Sequence, residues 1–259
     1  FCNELLAEDG LDLAEQARVA RALGYVGLEL APATLAAEPH LLTAAEARTI
    51  RDTVEAEGIR VTGLHWLLTP YPQASVTALE RRDETREILT GLVDLCAALG
   101  GRMLVHGSPG QRLRPDGMSD GALTRHLDRG VTYCIEPLAS GETDVLTTVA
   151  QAASLVEAVD NPAFRTMIDI SAAGQVEPPV ADLIRKWVPT GLIGHIHAND
   201  TNRGGPGMGD DPFPEMVAAL AEVGWPHPIG VEPFRTLIDA RVTAGIGIAT
   251  LRACEKALS

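Results

Sequence analysis

Four short apolar runs in the second half of the chain each end in a side chain that could hold a cation. Glu136 stands before Pro137 at the end of 131–136, Asp169 ends 165–169, and Glu232 stands before Pro233 at the end of 229–232. Between them, 192–197 ends in His195-Ile196-His197, two histidines that share parity and so face one side of an extended strand. Three carboxylates and an imidazole suit a hard or borderline divalent ion better than a thiolate-seeking one. Mn²⁺ is the first expectation, with Mg²⁺, Co²⁺ or Zn²⁺ as alternatives. Taken singly, each carboxylate has a plainer reading as a solvated turn residue or helix N-cap, and each histidine as hydrogen-bonded structure. The coincidence of four on successive strands favours a metal site.

A divalent ion polarises a carbonyl or hydroxyl and acidifies the neighbouring C–H. Carboxylates on opposite sides of it can then remove and return a proton. Glu136 and Glu232, three strands apart, are placed for those two roles.

The elements that must position these groups alternate strictly. Strand-like runs at 26–30, 59–68, 102–106, 131–136, 165–169, 192–197 and 229–232 are separated by helical patterns at 44–57, 82–99, 145–159, 180–188 and 214–223. Helices at 13–23 and 237–258 flank the series, and 2–6 reads as a first strand. Eight strands joined by crossover helices predict a parallel sheet closed into a (β/α)₈ TIM barrel, one domain over 1–259. No G-x-G-x-x-G follows the first strand, which disfavours a dinucleotide fold. One unit is defective: 107–130 must supply a Gly/Pro-rich loop and a crossover, yet its helical candidate, 120–128, is barely two turns. The fourth helix is therefore expected to be short or incompletely represented. In such a barrel the strands' C-terminal ends carry the active site. That adds His65 and His106, ending the third and fourth strands, as candidate substrate contacts beside His195. Arg112 and Arg114 could bind a phosphate or carboxylate, but read first as solvated loop residues.

The 259 residues are 46% hydrophobic, with no apolar run near the ~20 residues that span a bilayer. A formal charge of −14 repels phosphate backbones, so neither a membrane nor a nucleic acid is expected as partner. Cys2, Cys96, Cys134 and Cys254 are widely spaced and read as small core residues, which fits a reducing, cytoplasmic setting. The chain opens at Phe1 without a methionine, which leaves a preceding segment open.

The stretch Gly194-His195-Ile196-His197 followed by Asn202-Arg203-Gly204-Gly205-Pro206-Gly207-Met208-Gly209, then Glu215 and Gly230-Val231-Glu232-Pro233-Phe234, resembles the closing third of the xylose isomerase-like TIM-barrel superfamily. The resemblance is to its sugar isomerase/epimerase group, which includes the ketose 3-epimerases. Gly63-Leu64-His65-Trp66 and Gly107-Ser108-Pro109-Gly110-Gln111-Arg112 are similar to loops of sugar phosphate isomerase/epimerase members. The resemblance implies metal ligands at Glu136, Asp169, His197 and Glu232, with Glu136 and Glu232 as the acid/base pair. It selects His197 over His195 because Arg203 follows six residues later. It places Arg203 and Glu142 on the substrate, and implies a homo-oligomer. Where ketose epimerases carry a substrate-touching histidine, three residues past the aspartate, this chain has Ala172. The free-ketose substrate is thereby put in question.

The leading expectation is a metal-dependent isomerase or epimerase of a keto-sugar or polyol ketone, working through a cis-enediolate. A lyase or dehydratase on a 3-keto sugar or inosose would use the same metal and base. An apurinic endonuclease is disfavoured by Ala172, by Asp210-Asp211-Pro212 after Gly209, and by the charge. A non-catalytic barrel is disfavoured by retention of all four ligand positions.

Overall fold

The computed structural model describes residues 1–112 and 130–258. Seven parallel strands pair in sequence order: β1 (Gly27–Leu30), β2 (Arg60–Leu64), β3 (Met103–His106), β4 (Thr132–Ile135), β5 (Phe164–Asp169), β6 (Ile193–Ala198) and β7 (Gly230–Val231). The ring is nearly closed by residues 1–3. Cys2 N donates to Val231 O at 3.0 Å, Asn3 N to Glu29 O at 3.1 Å and Glu29 N to Phe1 O at 2.9 Å. A barrel with helices outside is thus the architecture, as the strict alternation predicts.

The expected first strand at 2–6 is corrected. Only Cys2 bridges Glu29, and the chain turns into helix α1 (Glu4–Glu8). Leu5 and Leu6 explain the turn: both are buried in the main core, whereas a strand would send adjacent side chains to opposite faces.

The outer helices follow local signals. α2 (Leu13–Leu23) opens on an Asp12/Glu15 capping box and stops at Gly24, φ 95°. α3 (Ala44–Ala56) opens on Thr43/Glu46, while α4 (Arg82–Ala98) follows a short 3₁₀ turn. α5 (Val149–Val159) begins at a Thr148/Gln151 box, four residues later than the periodicity suggests. A helix that the periodicity did not show, α6 (Ile170–Val176), follows β5 directly and precedes α7 (Val180–Trp187). α8 (Phe213–Glu222) and α9 (Ala240–Ala257) complete the layer. The proposed helix at 120–128 and Arg114 lie outside the described residues. No described helix is long and apolar enough to cross a membrane.

Two apolar layers result. The large core lies between strands and helices, while Val105, Cys134 and Met167, with Met103 against them, form a small separate cluster inside the ring. That cluster fixes which parity faces inward: 103 and 105 on β3, 134 on β4 and 167 on β5. Two residues further along β4 and β5, on the same parity, come Glu136 and Asp169.

Candidate metal centre

Glu136 and Glu232 sit one residue past their strands, but their backbones still pair. Glu136 N donates to His106 O and Glu232 N to Ala198 O, each at 3.2 Å. The inward parity therefore continues to both carboxylates. Asp169 and His197 are register partners on β5 and β6, and Met167 pairs with His195 one layer below. Glu136, Asp169, His197 and Glu232 each offer one donor atom, and these atoms lie within 4.8 Å of one another. All four side chains are buried. Close approach is built into the neighbours, since a Cβ on Gly107 would overlap Glu136 Oε2.

Asp169 and His197 are held from outside the cluster, while Glu232 is held by His197 within it. Asp169 Oδ1 accepts from Ala172 N at 2.7 Å, so Asp169 also caps α6, and Oδ2 accepts from Asn199 Nδ2 at 2.6 Å. His197 Nδ1 lies 2.9 Å from Glu232 Oε2 and 4.0 Å from Asp169 Oδ2, while its Nε2 lies 3.0 Å from Glu29 Oε1. His195 Nε2 lies 3.0 Å from the other oxygen, Glu29 Oε2.

Burial, with Glu232 and Asp169 as like-charged neighbours, pushes the Glu136 carboxyl well above the ordinary range. Asp169 is pushed up to about 6 by burial and Glu232. For His197, burial opposes the charge, but Glu232 and Glu29 outweigh it and raise its pKa well above normal. Glu29 shows the converse: burial would raise it, yet His195 and His197 hold it well below the usual carboxylate range. Three crowded carboxylates, of which Glu136 and Asp169 resist ionisation, beside an imidazole pulled toward its cationic form, are a donor set that fits a divalent cation.

Residues 17–254 match the family described as xylose isomerase-like TIM barrel. The chain belongs to that family. Among curated relatives, a D-psicose 3-epimerase of Agrobacterium fabrum (strain C58) is 34% identical over 107 residues, 41% of this chain and 36% of that protein. The matched stretch thus spans only about a third of the relative's length. Among solved structures, a 3-keto-D-glucoside 4-epimerase from E. coli superposes with a TM-score of 0.74 at 17% identity, covering 93% of this chain and 94% of that one. A D-psicose 3-epimerase with D-tagatose from Clostridium cellulolyticum H10 gives 0.69 at 20% identity, covering 96% and 88%. At such identities these structures speak for the fold.

The remaining expected site residues of this xylose isomerase-like barrel fall into three places. His65, one residue past β2 on the inward parity, offers a ring nitrogen within 4.8 Å of donor atoms of Cys2 and Glu232. Its Nε2 is 2.8 Å from Glu4 Oε2, leaving His65 Nδ1 and Glu4 Oε1 buried without partners. Arg203 and Glu142 meet further out: Arg203 Nη1 donates to Glu142 Oε1 at 2.6 Å, and the guanidinium lies 4.2 Å over the Phe234 ring. Phe234 in turn stacks on Trp66, with centroids 5.9 Å apart.

His106 does not join the others, and its expected place on the rim is corrected. Val105 takes the inward parity, so His106 faces the helix layer, where Nδ1 bonds the Tyr133 hydroxyl. Burial, with Arg112 nearby, lowers its pKa to about 3, so it is a neutral structural histidine. Arg112 is corrected too: it is 1% exposed, and its guanidinium donates to the carbonyls of His106, Gly107, Glu136, Val145 and Leu146. Sequence reasoning missed Glu29, Glu4 and Asn199 and read Cys2 as a plain core thiol, although Cys2, Glu29 and His197 form a second close-set donor group. For Glu29 a signal existed, a lone charge inside the apolar run Val26-Gly27-Leu28-Glu29-Leu30.

Proposed function

We propose that this protein is a divalent-metal-dependent sugar isomerase or epimerase acting on a keto-sugar or related polyol ketone. The observation that carries the reading is the buried convergence of Glu136, Asp169, His197 and Glu232 within 4.8 Å. These four would hold the ion, with Mn²⁺ the first candidate. When bound, a divalent cation polarises a carbonyl and acidifies the adjacent C–H.

The chain's own residues then divide the work. Glu136 and Glu232, arriving from β4 and β7, exchange the proton at the carbon beside the carbonyl, one removing it and the other returning it. Arg112 fixes the backbone under Glu136, at 2.5 Å from its carbonyl. Asn199 and the α6 backbone orient Asp169. Arg203 and Glu142 offer charged contacts to substrate oxygens further out, and the Trp66–Phe234 stack offers an apolar face to a sugar's C–H groups. His195 and His65 are the inner polar contacts.

The test is deuterium incorporation followed by NMR, in D₂O with Mn²⁺ or EDTA, across ketoses, ketose phosphates, 3-keto-glucosides and inososes. Metal-dependent exchange at a carbon beside a carbonyl supports the reading and identifies the substrate class. A product lighter by one water would reassign the site to elimination. Absence of divalent-ion binding would sink the proposal.

A further inference from the structure

Glu29 is an ionisable side chain on the inward face of β1, a strand whose four residues are all buried. Each of its oxygens is committed to a different imidazole: Oε1 to His197 Nε2 and Oε2 to His195 Nε2, both at 3.0 Å. We propose that Glu29 is a positioning residue, one carboxylate that holds both histidines with Nε2 as the protonated nitrogen and so reserves His197 Nδ1 for the cation. The inference rests on the metal reading above and extends it to a residue outside the ligand set.

The argument is one of proton bookkeeping. An ionised carboxylate only accepts, so a ring nitrogen facing it must carry hydrogen. A neutral imidazole has one N–H, which leaves the lone pair on Nδ1, and a metal binds only a nitrogen with a lone pair. His197 Nδ1 is the nitrogen that lies beside Glu232 and Asp169. The same carboxylate fixes the plane of both rings, whose centroids are 4.9 Å apart at 80°.

A second observation supports this design. A Cβ on Gly230 of β7 would stand 2.7 Å from His197 Cδ2 and 3.1 Å from both Glu29 Oε2 and His195 Nε2. The neighbouring strand therefore leaves room for these three side chains together, and no residue larger than glycine would do so.

Substitution discriminates proton placement from packing. Glutamine fills the same volume but offers one acceptor oxygen and one donor nitrogen. It can accept from only one of the two rings, and the other must present a lone pair from Nε2 and move its hydrogen to Nδ1. Aspartate is shorter by a methylene yet keeps two acceptors. The experiment is calorimetric titration of Mn²⁺ into the wild type, Glu29→Asp, Glu29→Gln and Gly230→Ala, with folding checked by circular dichroism. Expected is a loss of Mn²⁺ affinity of about 10–100-fold in Glu29→Gln, with Glu29→Asp binding more tightly than Glu29→Gln. Gly230→Ala crowds the His197 ring itself and serves only as the packing control; if Glu29→Gln does not fold, the proton spectrum of the wild type decides, since a His197 Nε2 without hydrogen overturns the role of Glu29. In the Zn²⁺-loaded wild type, the His197 Nε2 proton should appear as a downfield, exchange-protected resonance that Glu29→Gln loses. Wild-type affinity in Glu29→Gln, or tighter binding by Glu29→Gln than by Glu29→Asp, overturns the role of Glu29 and leaves the metal reading intact. No Mn²⁺ binding by the wild type overturns both.

Discussion

Arg112 and Glu136 meet through the backbone: the buried guanidinium donates from Nη1 to the Glu136 carbonyl at 2.5 Å. The same group collects carbonyls from the end of β3 and from Val145 and Leu146, so it ties together the segments on either side of the proposed base. Burial lowers the Arg112 pKa only to about 10, so it remains charged at neutral pH. Arg112→Met should leave several buried carbonyls without donors and cost about 3 kcal/mol, a fall in Tm on the order of 10 °C. Arg112→Lys cannot span the same fan of acceptors and should fall between the two. Calorimetric scans of the three proteins check the order, and an unchanged Tm in Arg112→Met would show the network to be dispensable.

With the metal removed by EDTA, the charge state of the centre sets a pH dependence with a definite sign. Asp169 rises from 3.8 to about 6 and Glu136 rises from 4.5, so above the ordinary carboxylate range the folded metal-free protein holds protons that the unfolded chain has released. Stability then falls as pH rises. His197 acts in the same direction: its pKa is raised above 6.5, so its stabilising contribution is complete below that value and is lost as pH climbs through the native value. Glu29, lowered from 4.5, contributes stability that is lost only on acidification. In EDTA, Tm should therefore decline from about pH 5 toward pH 8, and saturating Mn²⁺ should flatten the decline. A metal-free Tm that rises over that window would contradict this charge assignment.

The proposed division of labour between the two glutamates predicts matched losses. Glu136→Gln and Glu232→Gln keep side-chain volume but cannot exchange a proton, so metal-dependent deuterium exchange should drop about 10²–10⁴-fold in each. Single-turnover measurements with both epimers would show which glutamate serves which face. Full activity in Glu136→Gln would remove it from the chemistry.

Arg203 gives a contrasting signature. Its ion pair with Glu142 is partly exposed, with side-chain accessibilities of 46% and 27%, so it adds little to stability. Arg203→Ala should leave Tm within a few degrees yet raise KM by about tenfold through one lost charged contact to a substrate oxygen. Steady-state kinetics decide this, and an unchanged KM would place the substrate elsewhere.

Much of this was legible in the sequence because strand ends are marked. The alternation of apolar runs and capped helices located all seven paired strands, and the polar residues at the late strand ends pointed to Glu136, Asp169, Glu232 and the pair His195 and His197, from which the family resemblance chose His197. What was hidden has physical causes. The pair Leu5-Leu6 looks like strand composition but buries both side chains in the helix layer. Arg112, in a Gly/Pro-rich loop, looks solvated, and only the three-dimensional convergence of carbonyls shows why it is buried. Glu29 lies in mid-strand, where attention to strand ends does not reach.

Parity along β3 could not be read because Met103, Leu104 and Val105 are all apolar, as befits a strand covered on both faces. The structure resolves it and separates two histidines that the sequence treats alike. His65 is inward, with its ring centroid 6.2 Å from that of His197, and His106 is outward against Tyr133. His106→Asn should therefore cost stability, through loss of the buried contact to Tyr133, while leaving kcat/KM of the folded enzyme within about threefold of wild type. His65→Asn removes a ring nitrogen near Glu232 and leaves Glu4 without its partner. It should lower kcat/KM by about tenfold or more, with Mn²⁺ affinity largely retained because His65 is not among the four proposed ligands. Parallel titrations and kinetics on the two variants test the assignment directly: equal activity losses would mean that the inward and outward positions do not differ in function, and the placement of His65 against the substrate would have to be given up.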